Sequence, residues 1–197
     1  IRDVTHLVEL TSSDPNVVRI DGTRALPVAD GAAQITVKLG GQTATAEVTV
    51  KAAGLPDPVR FNTELLGALT KSGCNMGACH GSPSGKGGFR LSLRGFDPTL
   101  DILTLRSEFF GRRTNPLKPE ESLILQKSQM KVAHGGGRRL HYGDASYTVL
   151  RNWIAEGQQL DPADAATLDR IEIGISQRTL RQPADRQQLW VNGYFSD

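Results

Sequence analysis

A chain of 197 residues with 22% charged and 38% hydrophobic side chains has the make-up of soluble globular protein and the length for one or two domains. Its 23 basic residues nearly cancel its 21 acidic ones, leaving a net charge of +2, so charge alone implies neither a nucleic acid nor an anionic membrane as partner. No run approaches the length of a transmembrane helix, and the opening residues lack the charged, apolar and small-residue order of a leader, reading instead as the interior of a longer protein.

Residues 1–52 carry β patterning. Val17–Ile20 is a short apolar strand closed by Asp21-Gly22, and Leu26–Val28 is a second, ending at Asp30-Gly31. Strict alternation follows. Ile35, Val37 and Leu39 fall on one face, Gly40-Gly41 supplies a two-residue turn, and Ala44, Ala46, Val48 and Val50 fall on one face of the returning strand. An apolar face of this kind needs a second layer to cover it.

Residues 53–60, Ala-Gly-Leu-Pro-Asp-Pro-Val-Arg, break both periodicities and read as a linker. Asn62 then stands as an N-cap, with Phe61 and Leu66 spaced as a hydrophobic staple, for a helix striped by Leu65, Leu66 and Leu69 and ending at Gly73. Phe89–Leu93 alternates as a strand. Asp97-Pro98 opens a helix expected to run to about Phe110 and stop at Gly111. A shorter helix is expected over Pro119–Lys127. Asp144 caps a last one, in which Tyr147, Leu150, Trp153 and Ile154 share a side before Gly157.

The chemistry concentrates at the end of the first helix. Cys74 and Cys79 are the chain's two cysteines, and His80, one of four histidines, directly follows the second. Two thiols with an imidazole after the second is the order by which a c-type haem is attached and its iron bound, although four residues separate the cysteines here where two are usual. Gly77 and Ala78 are small enough to let the longer loop bulge. Two other readings stay open on these residues alone: a disulfide across a short and strained loop, and a zinc site, which would need further ligands.

Residues 61–160 resemble the planctomycete-type cytochrome c domain. The matching pieces, in order, are Gly73-Cys74-Asn75 with Cys79-His80-Gly81, Gly88-Phe89-Arg90-Leu91-Ser92-Leu93, Gly111-Arg112-Arg113, Pro119-Glu120-Glu121-Ser122-Leu123, His134-Gly135-Gly136-Gly137 and Trp153-Ile154-Ala155-Glu156-Gly157. The resemblance implies one haem c per chain, thioether-linked to Cys74 and Cys79, with His80 as the proximal ligand. It also implies a sixth ligand ahead of the last helix. There His134 is the first choice, and Met130 and His141 are the alternatives; Met76, inside the attachment loop, is on the wrong side of the ring. Arg112, Arg113, Arg138 and Arg139 are candidates to pair with haem propionates.

Residues 1–52 resemble the later strands of the bacterial Ig-like group 2 domain, through Asp3-Val4-Thr5, Ser12-Ser13-Asp14-Pro15-Asn16-Val17-Val18, Ala29-Asp30-Gly31 and Val48-Thr49-Val50. Residues 168–197, with Ile171-Glu172-Ile173 and Leu189-Trp190-Val191-Asn192-Gly193-Tyr194, resemble its opening strands. The expected architecture is therefore a multi-part α plus β chain: a mostly α-helical cytochrome c domain beside an Ig-like β-sandwich assembled from the two terminal segments. The sandwich would form within one chain or, by strand exchange, in a dimer.

The function these resemblances imply is electron transfer to and from a redox partner protein, in the periplasm or at the cell surface of an exported multidomain protein. An Ig-like binding or spacer module with an accessory haem is the alternative. A haem enzyme of peroxidase type would require an open iron site with a distal acid or base, which nothing in the sequence marks.

Overall fold

In a computed structural model, residues 3–180 and 187–196 are described, so 181–186 and Asp197, part of the expected opening Ig-like strands, lie outside the described residues. The chain divides into two units, one of residues up to Pro56 together with Asp169–Ser196, the other of Asp57–Leu168.

In the first unit the alternating segment forms the hairpin its pattern predicts. Strands β4 (Gly31–Leu39) and β5 (Gln42–Val50) pair antiparallel with Leu39 opposite Gln42 and Ile35 opposite Ala46. Gly40 and Gly41, at φ +53° and +78°, make the left-handed two-residue turn that matches strand twist. Strand β1 (Glu9–Ser12) adds to the other edge of β4, giving the order β1-β4-β5, while β2 (Val18–Asp21) and β3 (Arg24–Pro27) form a separate small hairpin. Val18 of that hairpin is buried with Ala33, Ile35 and Val50, and Leu10, Val17, Ile20 and Val48 pack around them.

This packing corrects the expected β-sandwich. Val17, Val18 and Ile20 cover the end of the β4–β5 row that holds Ala33, Ile35 and Val50, while Leu39, Ala44 and Ala46 stay exposed, so the strands form several small sheets. Strands β6 (Leu168–Ile173) and β7 (Val191–Phe195) make a two-stranded sheet of their own, and among the described residues no ladder joins it to the other strands. Its apolar row stays in solvent, with Ile171 66% and Val191 58% exposed. Arg170 lies 3.7 Å over the Tyr194 ring, and the Tyr194 hydroxyl donates to Glu172.

The second unit is not mostly helical, a further correction. Its helices α1 (Leu66–Lys71), α2 (Pro98–Arg106), α3 (Leu123–Ser128) and α4 (Ala145–Ala155) span 6, 9, 6 and 11 residues. Left-handed residues cut the segments between them: Arg94, Phe109, Phe110 and Met130 besides several glycines, none compatible with a right-handed helix. Thus α2 begins where predicted, with the Asp97 carboxylate accepting from Leu100 N–H, but it ends before Phe109 and Phe110, at φ +52° and +58°, rather than at Gly111. The expected helix over Pro119–Lys127 divides into a 3-10 turn, Pro119–Glu121, and α3.

Helix α4 follows its sequence pattern: Asp144 caps it by accepting from Tyr147 N–H at 2.6 Å, and Tyr147, Leu150, Trp153 and Ile154 are all buried. Phe61, Leu65, Leu69, Leu91, Leu105 and Leu125 pack against them in one core. The Phe61 and Trp153 rings lie 5.6 Å apart.

The first helical stretch starts differently from its predicted cap. Phe61–Leu65 forms a π-type turn running into α1, and Asn62 lies inside it. Its free amides are satisfied from across the unit: Asp161 accepts from Phe61 N–H at 2.5 Å and from Asn62 N–H at 2.9 Å, and Glu156 accepts from Val59 N–H at 2.8 Å. A carboxylate on exposed helix-start amides acts as a cap, and its loss costs about 0.5–2 kcal/mol. Asp161→Ala should therefore lower the stability of this unit by about 1–2 kcal/mol in urea titrations. Asp161→Asn, which keeps one acceptor oxygen, should recover part of that loss.

Among the described residues no helix is long and apolar enough to cross a membrane.

Candidate functional site

The cysteine loop is built on the end of α1. Gly73 takes the left-handed conformation at φ +75°, its N–H donating to Thr70 C=O and the next N–H, of Cys74, to Leu69 C=O at 2.9 Å. These two bonds make a Schellman cap, which turns the chain sharply and sets Cys74 against the core. The loop then closes on itself. His80 N–H donates to Cys74 C=O at 3.0 Å, and Cys79 and Gly81 N–H both donate to Met76 C=O. The two residues beyond the usual spacing are absorbed in this way, and the His80 backbone still returns to that of Cys74.

Asn75 anchors the loop from inside. It is fully buried, its Nδ2 donates to Thr70 Oγ1 at 2.9 Å, and its C=O accepts from Arg94 N–H. Gly77, the expected bulge, sits in open space at an ordinary φ; the position that demands glycine is Gly81, where a Cβ would collide with the Asn75 carbonyl.

Both thiols are free and half-buried. Burial pushes the Cys74 thiol up to about 11, the neighbouring Cys79 adding to this and Arg139 opposing it. Arg139 Nη2 is 3.9 Å from Cys79 Sγ.

Phe89–Leu93 forms no strand, because its backbone groups are taken elsewhere. Leu91 N–H donates to His80 C=O at 2.7 Å, and the Phe89 carbonyl meets His80 Nδ1 at 2.9 Å. Ser92, through both N–H and Oγ, donates to the fully buried Asp101 carboxylate of α2, whose pKa burial raises against the pull of those bonds. Alternation in the sequence here reflects one inward face, Leu91, pressed between the cysteine loop and α2.

A cavity of about 420 Å³ opens beside this loop, lined by Cys74, His80 and Phe89 on one side and by Leu123, Ile124 and His134 on the other. Lys86, Arg112, Arg113 and Lys127 also line it, and no acidic side chain does. Such a lining suits a flat apolar ligand that carries negative groups. Arg113 is already engaged: it is buried, pairs with Glu108 at 2.8 Å, donates to Thr104 C=O and lies 4.5 Å over the Phe89 ring. Arg112 has its place at the cavity wall, whereas Arg138 and Arg139 are not among the lining residues.

Across the cavity the ring centroids of His80 and His134 lie 6.3 Å apart, with the ring planes within 12° of parallel. Each is oriented through Nδ1: His80 to the Phe89 carbonyl, His134 to the Gly137 carbonyl at 2.8 Å. A carbonyl only accepts, so Nδ1 carries the proton and the lone pair of each neutral ring is on Nε2. Burial holds the His80 imidazole below its ordinary pKa, with His134 and Arg113 adding to this against the Phe89 bond. Gly136 lies so close to the His134 ring that a Cβ there would stand 2.9 Å from its Cε1.

Met130 and His141 are outside the cavity lining. Met130 is 44% exposed, and His141 is exposed with its N–H held by Asp144. Lys86, Lys127, Phe89 and Phe109 are the lining residues that sequence reasoning passed over. Only the Gly-rich run around Lys86 stands out, and it resembles a phosphate loop with no strand before it.

No known family, curated protein or solved structure matches this chain.

Proposed function

We propose that the second unit binds a c-type haem, attached through Cys74 and Cys79 and held axially by His80 and His134, and that it serves electron transfer in an exported protein. The observation that supports this reading is the opposed imidazole pair. Two imidazoles sharing one ion at the usual ~2.0–2.1 Å metal–nitrogen distance stand roughly 6 Å apart centroid to centroid, and these stand at 6.3 Å.

The donor set fits a macrocycle rather than a bare ion. Among the described residues no group of three or more His, Cys, Asp or Glu could hold a metal ion. Two imidazoles suffice only where a tetrapyrrole supplies the other four donors. Haem iron would supply a one-electron couple. The chain's own part is to orient both imidazoles through Nδ1, to place Cys74 in the cavity wall with Cys79 outside that lining, and to surround the site with Phe89, Phe109, Leu123 and Ile124. Arg112 is available to meet a propionate.

Haem staining after denaturing electrophoresis tests the attachment. Colour should stay with the wild-type polypeptide through acid and organic solvent, and the Cys74→Ala/Cys79→Ala variant should lose it. Colour that separates from the wild-type chain would refute covalent binding.

A further inference from the structure

The loop that carries His134 is tied to its unit in an unusual way. Val132 N–H donates to Gln126 C=O and Arg139 N–H to Ser128 C=O, and these bonds mark its two ends. Between them the only backbone bond is internal, Gly137 N–H to His134 C=O. Among the described residues, apart from the internal contact of His134 Nδ1 with the Gly137 carbonyl, the other hydrogen bonds on residues 133–138 come from cationic side chains. Lys127 Nζ donates to Ala133 C=O at 3.0 Å, Lys86 Nζ to Gly135 C=O at 3.3 Å, and Arg139 Nε to Gly136 C=O at 2.8 Å. The three carbonyls bracket His134, one before it and two after.

These bonds differ physically from a ladder. All three lie at exposed positions, and the lysines reach from separate elements, α3 and the loop before Phe89, on long stems that lose rotamer freedom by holding one geometry. The loop itself contains Gly135, Gly136 and Gly137, the last at φ +72°, so it resists movement little.

We propose that His134 is a displaceable ligand, and that Lys86 and Lys127 are positioning residues whose grip on Ala133 and Gly135 decides whether a small exogenous ligand can reach the site opposite His80. This rests on the haem reading above. It adds a ligand-binding capability that a fixed bis-histidine carrier would lack, with the open state set by two lysine charges.

The test compares the 197-residue wild-type chain with Lys86→Met/Lys127→Met, and with Lys38→Met/Lys71→Met as a charge-matched control at two exposed lysines elsewhere. Hydrogen–deuterium exchange of residues 132–138 is measured in the Cys74→Ala/Cys79→Ala background, which reads the clamp without covalent haem. Cyanide binding to the ferric protein is measured in the haem-competent background, with haem content quantified on the same preparations.

Releasing the clamp should speed exchange in that segment alone. It should also speed cyanide binding by roughly tenfold, the scale of losing two charge-assisted but exposed hydrogen bonds. Lys86→Arg/Lys127→Arg should restore most of the slow behaviour, and the control should match wild type. Unchanged exchange in the double methionine variant overturns the clamp, whatever the haem content. Faster exchange with unchanged cyanide binding in haem-loaded protein overturns the gating. Preparations with no haem refute the underlying reading instead, and the exchange result then decides the clamp alone.

Discussion

Replacing His134 by alanine should convert a six-coordinate, low-spin ferric spectrum into a predominantly high-spin one, with covalent haem still present on the gel. The expectation follows from what surrounds His134. Its ring lines the cavity with its centroid 6.3 Å from that of His80, and neither Met130 nor His141 lines that space to replace it. Cys74, Cys79 and His80 are untouched by the change, and their loop is held by its own bonds from Cys74 to Gly81. Attachment and coordination should therefore separate. His134→Met makes a second arm: thioether ligation raises a haem potential relative to imidazole, so this variant should have a higher midpoint than wild type. A low-spin spectrum that survives His134→Ala but is lost in His141→Ala or Met130→Ala would transfer the axial role to that residue.

Features of this chain that depend on near neighbours could be read in its sequence, and those that depend on distant ones could not. Helix α4 was legible because Asp144 and the stripe Tyr147, Leu150, Trp153, Ile154 lie within a few turns of each other. The β4–β5 hairpin was legible because Gly40-Gly41 and period-two alternation fix both turn and register. The opposite holds for the start of α1, where Asp161 caps from 100 residues away and no local pattern points to it. Phe89–Leu93 alternates like a strand, yet its partners are His80 and the Asp101 carboxylate. Phe109 and Phe110 carry no sign of left-handed backbone, since bulky residues take it only where surroundings impose it, and so α2 reads too long.

The same division runs through the site. Cys74, Cys79 and His80 announce themselves by adjacency. His134 draws attention by its three following glycines, but the side chains that bond the carbonyls around it are Lys86, Lys127 and Arg139, residue types that usually cover a solvated face and have no recognisable spacing here. Counting apolar residues on β4 and β5 likewise shows that a cover is needed, but not that Val17, Val18 and Ile20 of the neighbouring hairpin provide part of it.

Gly81→Ala should be the most damaging single-methyl change in the cysteine loop, and Gly77→Ala nearly silent. From sequence, Gly77 and Ala78 are the residues expected to ease the extra length between the cysteines, and of the two only Gly77 lacks a side chain. In the folded loop it has nothing within 4 Å of its Cβ position and an ordinary φ. An added methyl there falls within the ~0.5 kcal/mol scatter of surface substitutions. At Gly81 the same methyl would enter the Asn75 carbonyl oxygen, with the Asn75 carbonyl carbon at 2.8 Å and the Met76 carbonyl carbon at 3.0 Å. All three atoms are backbone, so no side chain can rotate away, and Asn75 is itself fully buried and tied to Thr70 and Arg94. The loop must open instead, giving up Gly81 N–H to Met76 and His80 N–H to Cys74. Overpacking strain of about 1–3 kcal/mol together with about 0.5–1.5 kcal/mol for each of the two lost bonds gives an expected loss of roughly 2–6 kcal/mol. Because the opened bonds are those that return His80 to Cys74, the yield of haem-stained protein should fall with stability in Gly81→Ala and remain at wild-type level in Gly77→Ala. Equal urea midpoints and equal staining for the two variants would show that the loop closes by some other route than the Cys74–His80 bond.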